Sequence, residues 1–122
     1  MNKYGYLIIK ADRSIEIVES DTYEFSLEEL RKGADCSTIQ IIPGYAFDRE
    51  LLMCIDDNGK IDRKPINEIA TSLYVPERDF IVGNAVIGTR LCPDPYADPD
   101  IYKMPLDMCE VLKSILTVDR GR

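Results

Sequence analysis

The sequence predicts an α+β fold: a small, mostly antiparallel mixed sheet of about five strands with two or three helices packed on it. Three observations predict it. The chain opens with two short strand-like segments joined by a polar turn. A capping signature opens a short helix soon after them. Two later stretches carry apolar residues at helical spacing, set among further short strands. The order is β-β-α-β-β-α-β-α, and the short connections call for hairpins with the helices on one face of the sheet.

Tyr4 to Lys10 is rich in Tyr, Leu and Ile and reads as a strand. Ala11 to Ser14 is a polar turn. Ser14 to Glu19 then alternates, with Ile15 and Ile17 on one face and Glu16 on the other, so this second strand of the hairpin has one wet face. Ser26-Leu27-Glu28-Glu29 is a capping box: the hydroxyl accepts from the Glu29 N–H and the carboxylate reaches back to the Ser26 N–H. Leu27 and Leu30 are expected to face the core, and Gly33 to end a helix of about two turns. Thr38 to Ile42 alternates and is expected to stop at Pro43-Gly44. Leu51 to Ile55 is a continuous apolar run, the pattern of an interior strand. Asn58-Gly59 suits the two positive φ angles of a type I′ turn. Ile66, Ile69, Ala70 and Leu73 lie on one face of a helix bounded by Pro65 and Pro76. Phe80 to Ile87 reads as a central strand, with Gly83 marking a bulge or a close backbone approach. Cys92 to Asp100 carries three prolines and reads as a surface loop. Met108, Val111, Leu112 and Ile115 form the stripe of a C-terminal amphipathic helix of about three turns.

The middle of the chain carries Ile41-Ile42-Pro43-Gly44, then Asn58-Gly59-Lys60, then Pro65-x-Asn67-x-x-Ala70-Thr71-x-Leu73-Tyr74, then Asp79-x-Ile81-Val82-Gly83-Asn84-Ala85. This pattern resembles a family of small domains of unknown function from bacteria and from their phages and mobile elements. The resemblance covers most of the first 90 residues. It implies a hairpin, a short N-x-x-A-T helix and a strand with the I-V-G step, and it implies no activity. The proline-rich loop and the C-terminal helix depart from the family's pattern. The expected organisation is one domain over 1–122: a family-like α+β core at 1–90, a Pro/Asp-rich loop at 91–104 and the helix at 105–118.

Composition removes much chemistry. The chain of 122 residues has no histidine, which excludes Ser-His, Cys-His and His-ligated metal sites within it. Lys and Arg number 15 against 22 Asp and Glu, a net charge of −7. The cations are dispersed, which argues against phosphate-tracking contacts with nucleic acid. The cations are also interspersed with the acids, which argues against a DNA mimic. Cys36, Cys54, Cys92 and Cys109 contain no C-x-x-C pair. No apolar run approaches the ~20 residues of a membrane span, and the first residues lack a signal-peptide layout. A cytoplasmic protein with reduced thiols, no cofactor and no metal is the expectation.

The ligand-binding candidates are Asn67, Thr71, Asp79 and Asn84. Asn67 and Thr71, four apart, share a helix face and present an amide and a hydroxyl. The same pair also suits a cap and a back-bond to a carbonyl. Asp56-Asp57-Asn58-Gly59 fails as a calcium loop, because positions six and twelve are Ile61 and Asn67. Asp94, Asp98 and Asp100 read as a solvated loop. Gly83 to Gly88 lacks both dinucleotide and P-loop spacing. Seven tyrosines suit either an interface or the rim of a small core. By subtraction, the expectation is a non-enzymatic accessory protein that binds another protein, with self-association possible by the same logic. The alternative is a small-molecule binding domain or a carboxylate-based enzyme with its site near Asn67, Thr71 and Asp79.

Overall fold

Continuous apolar runs along the central strands set the layering. The computed structural model describes residues 3–46, 49–74, 79–91, 94, 96 and 100–120. β1 (Tyr4–Ile9) and β2 (Ile15–Ser20) form the opening hairpin, with Tyr6 opposite Val18 and Ile8 opposite Glu16. β3 (Ile39–Ala46) and β4 (Arg49–Asp56) form a second hairpin. β5 (Ala85–Gly88) joins the two, pairing β1 on one side and β4 on the other. The sheet order is β2-β1-β5-β4-β3, and a two-residue β6 (Met104–Pro105) adds to β1. All pairs are antiparallel. With α1 (Leu27–Ala34), α2 (Glu68–Leu73) and α3 (Leu106–Arg120), the chain is an α+β fold on an open six-stranded sheet.

The helices do not share one face. Leu51, Met53, Ile55, Ala85 and Ile87 point into a core with Ile69 and Leu73 of α2 and Cys109, Leu112 and Leu116 of α3. Their neighbours Leu52, Cys54 and Val86 point the other way, to Leu30 and Ala34 of α1. A strand that is apolar at every position must be covered on both sides. The run Leu51–Ile55 therefore demands two layers of helix, which the expectation of a single helical face overlooked.

Several local expectations also change. The capping box forms as read, with the Glu29 N–H 3.1 Å from Ser26 Oγ and the Ser26 N–H 2.9 Å from Glu29 Oε1. Leu27, however, is exposed, and only Leu30 turns inward. Gly33 does not end α1. Asp35 does, in the left-handed region at φ 54°. Gly33 lies inside the helix because a Cβ there would overlap Cγ2 of Val86. β3 runs straight through Pro43-Gly44. It is an edge strand, the place in a sheet where proline is tolerated.

Asn58-Gly59 makes no type I′ turn. Neither residue has positive φ, and the reversal is a series of turns after Asp56, whose Oδ1 accepts the Asn58 N–H at 2.9 Å. Gly59 is needed for space, since a Cβ would sit 2.7 Å from Val82 Cγ2. Ile66 is exposed and precedes α2, where it makes a bridge to Val82. β5 is shorter than the predicted 80–87, because Gly83 at φ 74° turns the chain just ahead of it. α3 is longer than three turns, and Val111 points to solvent. Of the predicted loop, Cys92, Pro93, Pro95 and 97–99 lie outside the described residues. Ile101 to Met104 are buried, with Tyr102 bridging Thr89 and Glu24.

Candidate functional site

Asn67 and Thr71 are brought together, and both are engaged with backbone. Asn67 is fully buried as the N-cap of α2. Its Oδ1 accepts the Ala70 N–H at 3.0 Å, and its Nδ2 donates to the carbonyls of Ile9 and Gly83, both at 2.8 Å. Thr71 Oγ1 donates to the Asn67 carbonyl at 2.7 Å and accepts the Ile81 N–H at 2.8 Å. One amide and one hydroxyl thus pin β1, α2 and the segment 81–83 to one another. Both Asn67 amide hydrogens and the Thr71 hydroxyl hydrogen are directed at protein carbonyls.

Asp79 stands apart from them on the surface. It pairs with Lys60, and its Oδ1 accepts the Phe80 N–H at 2.8 Å. The bond from Lys60 and then the Phe80 amide hold its carboxyl below the usual range. Lys60 Nζ also lies 4.8 Å from the centre of the Phe80 ring. A hollow of about 160 Å³ opens here, lined by Gln40, Ile55, Lys60, Tyr74 and Asp79. Ligand pockets commonly run to about 300–1,000 Å³. Asn84 lines a separate cleft on the other face of the sheet, with Tyr6 and Ile8. The four candidates therefore do not converge.

The more open feature is one that the sequence reading passed over. On β3, Ile42 and Ala46 face the α2 and α3 side. Ile39, Ile41, Pro43 and Tyr45 then face the α1 side by alternation. Only Ile39 packs with the α1 core. Ile41 is 39% exposed and Tyr45 49%. The register puts Pro43 beside Leu52, Leu52 beside Gly88, and Tyr45 beside Glu50. Glu50 pairs with Arg90 at 2.9 Å. Between these rows lies a groove of about 380 Å³, with Leu52 and Ile101 beneath and Ile41, Pro43, Arg90 and Asp100 around it. No charged residue occurs in Ile39–Ala46. The alternation Ile41-x-Pro43-x-Tyr45 was the available signal, hidden by reading Pro-Gly as a stop.

No family model, curated protein or solved structure matches the chain. Among the described residues, no group of three or more Cys, Asp or Glu side chains comes together to hold a metal ion. Asp98 lies outside them. No helix among them is long and apolar enough to cross a membrane. The tyrosines divide: the Tyr23 ring contacts Tyr4 at 6.0 Å and Tyr102 at 6.1 Å, Tyr6 packs on Phe25 at 4.8 Å, and Tyr45 and Tyr96 are exposed.

Proposed function

We propose that this chain is a non-enzymatic accessory protein of the cytoplasm, of bacterial, phage or mobile-element origin, that binds another protein through the α1-side face of β3. The observation that carries this reading is the row Ile41, Pro43 and Tyr45, apolar and partly exposed on an uncharged edge strand beside a groove. Interface centres are depleted in charge and enriched in aromatic residues, with a polar rim. Glu50, Arg90 and Asp100 supply such a rim. The partner is a protein that sets an apolar side chain over Leu52 and Ile101. Carboxylate chemistry or small-molecule binding near Asn67, Thr71 and Asp79 has less support, since two of those side chains are engaged internally and the third borders a small hollow.

The test places a photo-crosslinking residue at position 45, and at Lys113 on α3 as a control, in cells of the source. Support is one protein crosslinked at 45 and not at 113, whose recovery falls about tenfold with Ile41→Arg, a loss of ~1.4 kcal/mol. Equal crosslinking at both positions, or recovery unchanged by Ile41→Arg, overturns it. Sedimentation of the purified chain checks self-association: a dimer abolished by Ile41→Arg makes a second copy the partner and overturns the proposal of a different protein.

A further inference from the structure

The same sheet face carries a second concavity at its other end. α1 lies over Val86 and Cys54, with Gly33 against Val86 and its missing Cβ 3.6 Å from the Ile8 side chain. It does not reach across β1 and β2. The ladder there places Tyr6 beside Val18 and Ile8 between Glu16 and Val86. One step beyond the Ile9–Ala85 pair, Lys10 and Asn84 line the far end. The resulting cleft has a volume of about 430 Å³, larger than the groove beside β3. That is within the range of small-molecule sites.

Tyr6 is the feature that points to a ligand. It is 5% exposed, and its hydroxyl has no hydrogen-bond partner among the described residues. Buried hydroxyls are nearly always bonded, and an orphan calls for an explanation. Its ring is fixed against Phe25, with Lys103 Nζ 5.8 Å from the ring centre. Burial first, and then the carboxylates of Glu29 and Glu16, push the phenol's pKa up, so it stays a neutral hydroxyl. Glu29 and Glu16 line the same cleft, so the hydroxyl end of the ring faces it. Asn84, half-buried, adds an amide with no hydrogen bond to another described side chain or backbone group.

The rim carries both signs of charge. Lys10 stands 3.5 Å from Glu16. Lys32 on α1 is exposed and has no ion pair among the described residues, and Asp35 follows at the end of the helix. Between them runs the apolar strip of Ile8 and Val18. A bare anion meets the carboxylates of Glu16, Glu29 and Asp35, and a bare cation meets the ammonium groups of Lys10 and Lys32. A neutral zwitterion meets neither penalty. We propose that this cleft binds a small apolar zwitterion of the α-amino-acid class. Its carboxylate meets Lys32, its ammonium meets Glu16 and Asp35 and donates to the Tyr6 hydroxyl oxygen, and its apolar group lies on Ile8 and Val18.

The experiment titrates the isotope-labelled chain with L-phenylalanine and L-leucine and follows backbone amide signals. Parallel titrations use phenylpropionate, which lacks the ammonium, and phenethylamine, which lacks the carboxylate. Expected are saturable shifts at Ile8, Val18, Gly33 and Asn84 with at least one amino acid, and binding about tenfold weaker for both analogues. Lys32→Ala, at an exposed position, and Tyr6→Phe, which removes one oxygen, each weaken the amino acid severalfold while the rest of the spectrum is unchanged. No saturable shift with either amino acid, analogue binding as tight as theirs, or shifts that map elsewhere each overturn the proposal. None of these outcomes touches the β3 face, so this inference and the protein-binding reading stand or fall separately.

Discussion

The Lys103 ammonium lies 3.0 Å from Oε2 of Glu29, whose other oxygen closes the capping box of α1. The pair therefore joins the start of a helix to the approach to β6. Burial opposes the charge on Glu29, but the Ser26 N–H and Lys103 outweigh it, and the carboxyl is held below its ordinary value of 4.5. The unfolded chain thus takes up this proton more readily than the folded one. The stabilisation is complete above the unfolded value and is lost as pH falls through the lower folded value. Urea midpoints measured from pH 7 down to pH 3 should fall through the carboxylate range. Glu29→Gln should lose part of that decline, and an unchanged slope in the variant contradicts the assignment.

The two halves of this pair are unequal. Lys103 is only 3% exposed, whereas the Glu29 side chain is one-third exposed. Removing Glu29 leaves an ammonium with Ser20 Oγ at 2.8 Å and the rings of Tyr6 and Phe25. Removing Lys103 leaves a carboxylate that water can reach. Breaking a buried pair commonly costs about 3–5 kcal/mol, mostly from the stranded charge. Glu29→Ala should therefore cost about 3 kcal/mol and Lys103→Met about 1–2 kcal/mol. Denaturant unfolding of both variants checks the order, and the reverse order removes the argument.

Gly33→Ala tests the close approach of α1 to the sheet. Helix propensity alone favours alanine by about 1 kcal/mol. The new Cβ overlaps Val86 Cγ2, and overpacking a core commonly costs about 1–3 kcal/mol. A net loss is expected. Adding Val86→Ala should return part of it, so a double-mutant cycle should give a clear coupling. Additive effects would mean that the helix does not press on Val86.

The same glycine shows what the sequence could and could not tell. Local chemistry was legible: the Ser26–Glu29 box, the Asn67 cap and the β1–β2 hairpin depend on neighbours a few residues away. Gly33 looked like a terminator because glycine is common there, yet its reason is Val86, more than fifty positions on. Gly59 against Val82 is the same case. The buried Lys103 was invisible because its partners, Ser20, Glu29 and two rings, come from four separate places in the chain. The N-x-x-A-T pairing was seen, but not that Ile9, Gly83 and Ile81 supply its bonding partners.

Cysteine reactivity should follow burial. Burial pushes the thiols of Cys54 and Cys109 up to about 12 each, and both are fully enclosed. The thiolate is the reactive species. Iodoacetamide at mildly alkaline pH should leave both unmodified in the folded chain and modify both in urea, as read by peptide mass spectrometry. Cys36, half-buried, is raised first by burial and then by Asp56, and should react slowly. Native alkylation of Cys54 or Cys109 at the rate of a free thiol would place them at the surface.

Asn67 should be the least replaceable of the four candidate residues for reasons of folding. Alanine there strands the carbonyls of Ile9 and Gly83 and the N–H of Ala70, all in a site with no access to solvent. Each orphaned group costs about 1–3 kcal/mol, so a loss of at least ~3 kcal/mol is expected, enough to endanger a fold of ordinary stability. Asn67→Asp separates shape from hydrogen bonding. It keeps the volume and the acceptor for Ala70, but at neutral pH it sets a carboxylate against two carbonyls. Burial and those oxygens raise its pKa in the folded state, so its stability deficit should shrink as pH falls and one oxygen regains a proton to donate. The readout is the difference in urea midpoint between Asn67→Asp and the parent chain across pH. A gap that narrows in acid fits a buried polar latch, and a gap that is constant with pH removes Asn67 from that role.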